Sequence, residues 1–175
     1  MDTLNALHSR RSIRKYTNEP VSEVDIRTLL DAAMIAPSAH NAQPWHFIVV
    51  RSRLQREAVS KLHPYIHMAK DAPLGILVCG NTQREKTPGF WVQDGSAAIQ
   101  NILLAATELG LGTVWTGIHP LKDRAKDFQK LFKLPSHIPP LGYIVVGHPA
   151  QESKRLSRFD DAKVSYDTFD NQRPE

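Results

Sequence analysis

Apolar residues recur at helical spacing through Ile26, Leu29, Leu30, Ala33 and Met34, and the run stops ahead of Pro37, which predicts a helix. Residues 22–25 (SEVD) open it like a capping box: the Ser22 hydroxyl can accept an orphan main-chain N–H, and Asp25 can answer it. The strongest helical pattern covers 94–110. There Ile99, Ile102, Leu103, Ala106 and Leu109 form one stripe, while Ala97, Ala98, Leu104 and Ala105 spread the apolar surface around most of the circumference. A helix so apolar has to be covered by protein on several sides, and Gly110 with Gly112 gives its stop. Short continuous apolar runs at 45–50 (WHFIVV), 75–80 (GILVCG), 113–116 (TVWT) and 141–146 (LGYIVV) predict four buried strands. Weaker patterns suggest helices over 3–9, 52–62 and 121–132.

Helices mixed with short, continuously apolar strands imply one central sheet covered on both faces, hence an α+β or α/β architecture. No linker or repeat divides the chain, so residues 1–175 read as one domain. The tail over 160–175 is polar apart from Val164, Tyr166 and Phe169; either it is disordered or it lies across another subunit.

Composition narrows the function classes. With 41% hydrophobic and 23% charged residues, the chain is neither fibrous nor a disordered tail protein. The single cysteine, Cys79, excludes an internal disulfide framework and any cysteine-based cluster within the chain. No apolar run approaches the ~20 residues of a membrane span. The opening residues, MDTLNALHSRRS, lack the apolar core of a secretory signal. The expectation is a cytoplasmic protein. The net charge is +4, concentrated in two clusters: Arg10, Arg11, Arg14 and Lys15 near one end, Lys154, Arg155 and Arg158 near the other. Compact patches suit a localised anion better than a long polyanion.

Most enzyme motifs are absent. There is no G-x-S-x-G elbow and no Walker loop. Gly110-Leu111-Gly112 follows a predicted helix and precedes a strand, the reverse of the dinucleotide-binding order, and Trp115 stands where the third glycine belongs. His63 and His67 have i, i+4 spacing, but Pro64 lies between them and no third ligand is evident, so they read as surface histidines. Cys79 reads as a core residue.

Two segments stand out. If residues 10–14 are extended, Arg10, Ser12 and Arg14 share one side, two guanidinium groups flanking a hydroxyl, a fork suited to a phosphate or carbonyl acceptors. A solvated basic run after a helix would look the same. The second segment, 37–45 (PSAHNAQPW), holds Ser, Asn and Gln between two prolines that limit backbone freedom. Amide donors and acceptors on a stiff loop suit a heterocycle with N–H and C=O edges; an ordinary turn is the alternative.

Together these residues resemble the flavin-dependent nitroreductase family. Arg10-Arg11-Ser12-x-Arg14 is followed in order by Pro37-Ser38-Ala39-x-Asn41-x-Gln43-Pro44-Trp45 and Asp94-x-Ser96-Ala97-Ala98-Ile99-Gln100-Asn101. Gly110-Leu111-Gly112-Thr113-Val114-Trp115-Thr116-Gly117, then Gly142-Tyr143-Ile144-Val145-Val146-Gly147-His148-Pro149 and the basic Lys154-Arg155, complete the match over nearly the whole chain. The resemblance implies a three-layer α/β/α sandwich around a mostly antiparallel mixed sheet, dimeric, with FMN at the subunit interface. It implies flavin contacts from Arg10, Arg11, Ser12 and Arg14, with Pro37, Ser38, Ala39, Asn41 and Gln43 reaching in from the other subunit. Trp115, Thr116 and Gly117 would lie along the reactive edge of the flavin, and Lys154 and Arg155, with Arg158 as rival, would hold its phosphate. The 160–175 arm would pack on the partner.

The implied activity is an FMN oxidoreductase that takes hydride from NADH or NADPH and reduces nitroaromatic, quinone or similar small-molecule acceptors in two ping-pong half-reactions, the flavin rather than a side chain carrying the chemistry. No metal, nucleic acid or membrane is implied. Reductive dehalogenation or flavin breakdown on the same fold is an alternative, and a small basic nucleic-acid-binding protein is the rival of another class. The stretch between Gly80 and Asp94 is shorter than the cover of longer relatives; Phe90 and Trp91 are candidates for a minimal wall, with core packing the equal alternative, and Lys70 for a polar contact ahead of the second strand.

Overall fold

The computed structural model describes residues 2–154 and 157–169. Its elements follow the hydrophobic pattern closely: α1 (Thr3–Ser9), α2 (Glu23–Met34), β1 (Trp45–Val50), α3 (Arg53–Val59), β2 (Leu74–Gly80), α4 (Trp91–Glu108), β3 (Gly112–Gly117), α5 (Lys122–Phe132) and β4 (Pro140–Gly147), with short 3₁₀ turns between. The cap of α2 differs in one detail from the sequence expectation. The Asp25 N–H donates to Ser22 Oγ at 3.0 Å, while the Ser22 hydroxyl donates to Asp25 Oδ2 at 2.7 Å, so the reciprocity is between side chains.

The four strands form one sheet in the order β1-β2-β4-β3, which leaves β1 and β3 as its edges. All three ladders are antiparallel. The parallel component among the described residues is a single bridge from Ser12 to Thr113. Central strands β2 and β4 are buried along their whole length, which explains why they read as continuous apolar runs rather than alternating ones. Their alternate residues feed two cores. Ile76, Val78, Ile144 and Val146 pack under α2 and α4 with Leu29, Ile99, Ile102 and Leu103. On the opposite face Leu77, Cys79, Tyr143 and Val145 pack with Val59, Ile66, Met68 and Phe128. The result is a three-layer α/β/α sandwich, as expected, and Cys79 is a core residue whose thiol burial pushes up to about 12.

Helix α4 is covered in the single chain by the sheet, by α2 and, over a smaller stretch, by α1. Its flank at Ala97, Leu104 and Ala105 is half-buried, and Leu109 is exposed. The all-round apolar surface that the sequence displays is therefore only partly used by one chain. Gly110 adopts a φ of 73°, the left-handed conformation that ends a helix without cost for a residue lacking a side chain.

Two expectations need correction. The third helix stops at Val59 instead of running to 62, and a 3₁₀ turn follows over Pro64–Lys70. Pro64 does not break that turn; it starts it, because a proline at the first helical position sacrifices an N–H that would be unpaired anyway. His63, read as a surface residue, is buried at 8% exposure against Tyr65 and Phe128, whereas His67 is exposed.

Candidate functional site

Beyond α1 the chain extends and lies along the open edge of β3. Ile13 is buried against Gly112, and its N–H donates to the Thr113 carbonyl at 2.8 Å. Alternation then sets Ser12 and Arg14 outward and exposed, as predicted for an extended segment, with Arg10 and Arg11 half-buried. Residues 148–151 pin the segment from its other side. Gln151 Oε1 accepts from the N–H groups of Arg14 and Lys15 at 2.9 and 3.0 Å, and the Ala150 N–H donates to the Lys15 carbonyl. Burial, partly offset by Arg14, pushes the Tyr16 hydroxyl far above its ordinary range, so it stays protonated and donates to the Ile13 carbonyl.

The two basic clusters meet here. Arg11 Nε donates to the Lys154 carbonyl at 2.7 Å, and Arg11 Nη1 to the Arg10 carbonyl at 2.5 Å. Arg11 Nη2 is buried and has no hydrogen-bond partner among the described residues. Arg10, Arg11, Gly112, Gln151 and Ser153 line a cavity of about 200 Å³ at this corner. Lys154 is exposed beside it, Arg158 is exposed further along, and Arg155 lies outside the described residues.

Further along the same edge, the 3₁₀ turn brings Tyr65, His67 and Met68 alongside Arg14, Val114, Trp115 and Thr116 to form a groove of about 300 Å³. Sequence reasoning missed Tyr65 and His67; the signal that could have found them is Pro64, which announces a turn rather than a break. Trp115 packs its indole over Gly142, where any side chain would collide with it, and stays 38% exposed toward the groove. Thr116 is buried and donates from Oγ1 to the Tyr143 carbonyl at 3.0 Å.

The Ile118 N–H donates to the Leu141 carbonyl at 3.0 Å, and the alternation of an antiparallel ladder then makes Thr116 a hydrogen-bonded partner of Tyr143 and turns the main-chain groups of Trp115 and Gly117 away from β4. The Gly117 carbonyl accepts from Arg124 Nη1 at 2.6 Å. A Cβ built on Gly117 would meet nothing within 4 Å, so the end of β3 faces open space.

The 37–43 loop is held at the opposite edge, leading into β1. Ser38 Oγ accepts from the Gln43 N–H at 3.0 Å, and Gln43 Nε2 donates to Asn41 Oδ1 at 3.2 Å. His40, Asn41 and Gln43 have φ values of 53°, 51° and 47°, three side-chain-bearing residues in the left-handed region, a conformation that costs on the order of 1 kcal/mol each. Asn41 and Gln43 are exposed, as is Pro37, and Ser38 and Ala39 are half-buried. The loop is thus closed by its own hydrogen bonds around three left-handed residues, with Asn41 and Gln43 exposed.

One chain therefore brings Arg10, Arg11, Ser12, Arg14, Trp115, Thr116, Gly117 and Lys154 to the β3 edge. It does not bring them to Pro37, Ser38, Ala39, Asn41 and Gln43, which lie by the β1 edge three strand spacings away. At about 4.8 Å per spacing, the two groups are roughly 14 Å apart across the sheet. Two other candidates change. Trp91 is buried against Gly80, so it is core rather than wall, while Phe90 remains exposed. Lys70 lines a different, larger cleft of about 730 Å³ with Arg53, Arg56 and Asp71, and none of the Arg10–Arg14 or 37–43 residues lines that cleft. Among the described residues no group of three metal-ligating side chains occurs, and no helix is long and apolar enough to cross a membrane.

Comparison with known proteins adds an independent line. The model of the Nitroreductase family matches residues 7–148. A protein of Methanothermobacter thermautotrophicus, provisionally named NADH dehydrogenase/NAD(P)H nitroreductase, is 51% identical over 164 residues, covering 94% of this chain and 86% of the relative. A crystal structure from Parabacteroides distasonis bearing the same provisional name superposes with a TM-score of 0.92 at 37% identity, covering 95% of this chain and 98% of the other. A provisionally assigned nitroreductase of Desulfovibrio desulfuricans, solved in complex with FMN, superposes with a TM-score of 0.78 at 33% identity, covering 90% and 92%.

Proposed function

The chain belongs to the nitroreductase family, and from that premise we propose that it is an FMN oxidoreductase working as a homodimer, with NADH or NADPH as donor and a nitroaromatic, quinone or similar small molecule as acceptor. The observation that carries this reading is the separation of the two polar groups of residues within one chain. The β3 edge offers cations and outward main-chain groups, and the 37–43 loop offers amides, at opposite edges of the same sheet. A second copy supplies the missing loop to each β3 edge. The half-covered flank of α4 and the tail support the same reading: residues 157–169 are exposed, and Phe159 and Phe169 expose 78% and 96% of their surface. The arm of the tail would pack on the partner.

The residues present fit FMN. Its phosphate dianion suits the corner where Arg10, Arg11 and Lys154 converge, and the buried unpaired Arg11 Nη2 is a donor still in want of an acceptor. Hydrogen bonds between ionised partners contribute about 1.5–3 kcal/mol each. The ring system suits the groove of Arg14, Tyr65, His67 and Trp115, where the bare backbone of Gly117 permits close approach. When bound, the flavin supplies the hydride chemistry that no side chain here can perform.

The protein's part is position and charge. Arg14 places a permanent positive charge at the groove, which favours the electron-rich form of a bound ring. Arg124 holds the Gly117 carbonyl so that this peptide keeps one orientation. The outward N–H of Gly117 is a donor fixed by the strand itself. Ser38, Asn41 and Gln43 hydrogen-bond one another into a rigid unit, so little ordering remains to be done when a ligand binds. The short 81–90 segment, with Phe90 exposed, leaves the site little covered, which suits small acceptors of varied shape.

Steady-state kinetics on the FMN-reconstituted protein test the reading. Parallel double-reciprocal lines for NAD(P)H against a quinone or nitroaromatic are expected. Absence of turnover with either acceptor class, in protein that retains FMN, would overturn the assigned activity.

A further inference from the structure

The loop that presents Ser38, Asn41 and Gln43 holds three left-handed residues, and its internal hydrogen bonds leave the Ala39 N–H and the His40 carbonyl without a partner inside the loop. Two contacts from outside supply those partners. Asp94, in the first turns of α4, accepts the Ala39 N–H on Oδ1 at 3.0 Å across 55 residues of sequence. Lys86 Nζ donates to the His40 carbonyl at 3.0 Å. One contact fixes the peptide that enters Ala39, just before the first left-handed residue, and the other fixes the peptide that leaves that residue.

Asp94 is 5% exposed, and its Oδ2 has no hydrogen-bond partner among the described residues. A buried carboxylate is costly unless something compensates it. The positive end of α4 offsets part of that cost, since Asp94 lies in the first turns where the helix main chain carries unpaired N–H groups. The remaining direct return is the single bond to Ala39. The bond from Ala39 is thus what this buried side chain supplies to its surroundings, which points to positioning as its role.

Both anchors come from the 81–94 segment, the stretch that is short in this chain. We infer that Asp94 and Lys86 are positioning residues: together they clamp the 38–43 loop from outside and hold it in the conformation that presents its amides to a ligand. This inference rests on the proposed flavin site for its functional consequence, but its structural content does not depend on flavin. Asp94 and Lys86 need not touch the ligand.

Amide hydrogen exchange and FMN titration on the purified chain test the clamp. In Asp94→Ala the Ala39 and Gln43 amides should exchange about tenfold faster, while core amides of β4 such as Ile144 keep their protection, and FMN should bind about tenfold more weakly. Asp94→Asn retains a carbonyl oxygen that can accept from Ala39 and should restore both readouts to within about twofold, whereas Asp94→Leu, which fills the space without an acceptor, should behave like Asp94→Ala. Lys86→Met, at an exposed position, should fold normally and show faster loop exchange with weaker FMN binding, so the clamp remains testable if Asp94→Ala does not fold.

Unchanged loop exchange in Asp94→Ala and Lys86→Met would overturn the clamp. Faster loop exchange with unaltered FMN affinity would overturn its link to the ligand. If the unmodified chain fails to bind FMN, the flavin site fails, while faster Ala39 exchange in Asp94→Ala would still uphold the anchoring.

Discussion

Arg124 donates from Nη1 to the carbonyl oxygen of Gly117 at 2.6 Å, closing off one main-chain group at the end of β3 while the space above Gly117 stays open. The outermost residue of the edge strand is thus held firmly and left bare. Its φ lies outside the left-handed region, so a side chain there meets no backbone penalty.

Gly117→Val consequently separates folding from binding. The variant should keep its unfolding midpoint or gain slightly, because valine favours strands, and it should lose FMN because its methyl groups occupy the open space. Thermal unfolding and flavin absorbance on the same preparation check both halves. Full FMN occupancy in Gly117→Val would remove the ring from this position.

Arg10→Ala and Arg14→Ala should each purify with less flavin and bind added FMN about ten- to a hundredfold more weakly, the scale of a lost charge-assisted hydrogen bond. Their stability should change little, as both side chains are at least partly exposed. Fluorescence titration of FMN gives the dissociation constants; normal affinity in both variants would refute the assignment of the N-terminal arginines.

His63 makes stability depend on acid. Burial, with a smaller contribution from Arg124, lowers its pKa from the ordinary 6.5 to about 4. The unfolded chain therefore takes up this proton first as pH falls. Stability from this group is complete above about pH 6.5, declines between 6.5 and 4, and is lost below. Urea unfolding at pH 7.5 and 4.5 should show a smaller loss for His63→Gln than for the unmodified chain. Equal losses would mean that the ring is already protonated when folded.

Most of this architecture is legible in the sequence because the pattern and the packing agree. Continuous apolar runs at 75–80 and 141–146 announce strands covered on both faces, and β2 and β4 are those strands. Segment 10–14 is legible as an extended stretch, since Ile13 inward forces Ser12 and Arg14 outward, but the expected fork is divided: Arg10 lines the corner cavity with Arg11, and Arg14 lines the groove. The groove itself is not legible. Tyr65 and His67 enter it through a 3₁₀ turn that has no apolar periodicity to betray it, and Lys70, the better-looking candidate, turns to another cleft. The roles of Asp94 and Lys86 depend on contacts 55 and 46 residues away along the chain, which local pattern cannot show.

The helix at the centre of the account invites a stability test. Ile102 of α4 is fully buried between the sheet and α2, so Ile102→Ala should cost about 2–5 kcal/mol through lost burial and the cavity left behind. Chemical denaturation measures this. A cost below about 1 kcal/mol would mean that α4 is not packed as described.

The central claim is that two copies of this chain together hold FMN, because neither has both halves of the site. Sedimentation velocity of the FMN-reconstituted protein, followed at a flavin wavelength, tests it most directly. The account predicts that the flavin moves in a single boundary with twice the mass of one chain and two FMN per dimer. Flavin that sediments with a single chain, or stays unbound while the protein sediments without it, would contradict it.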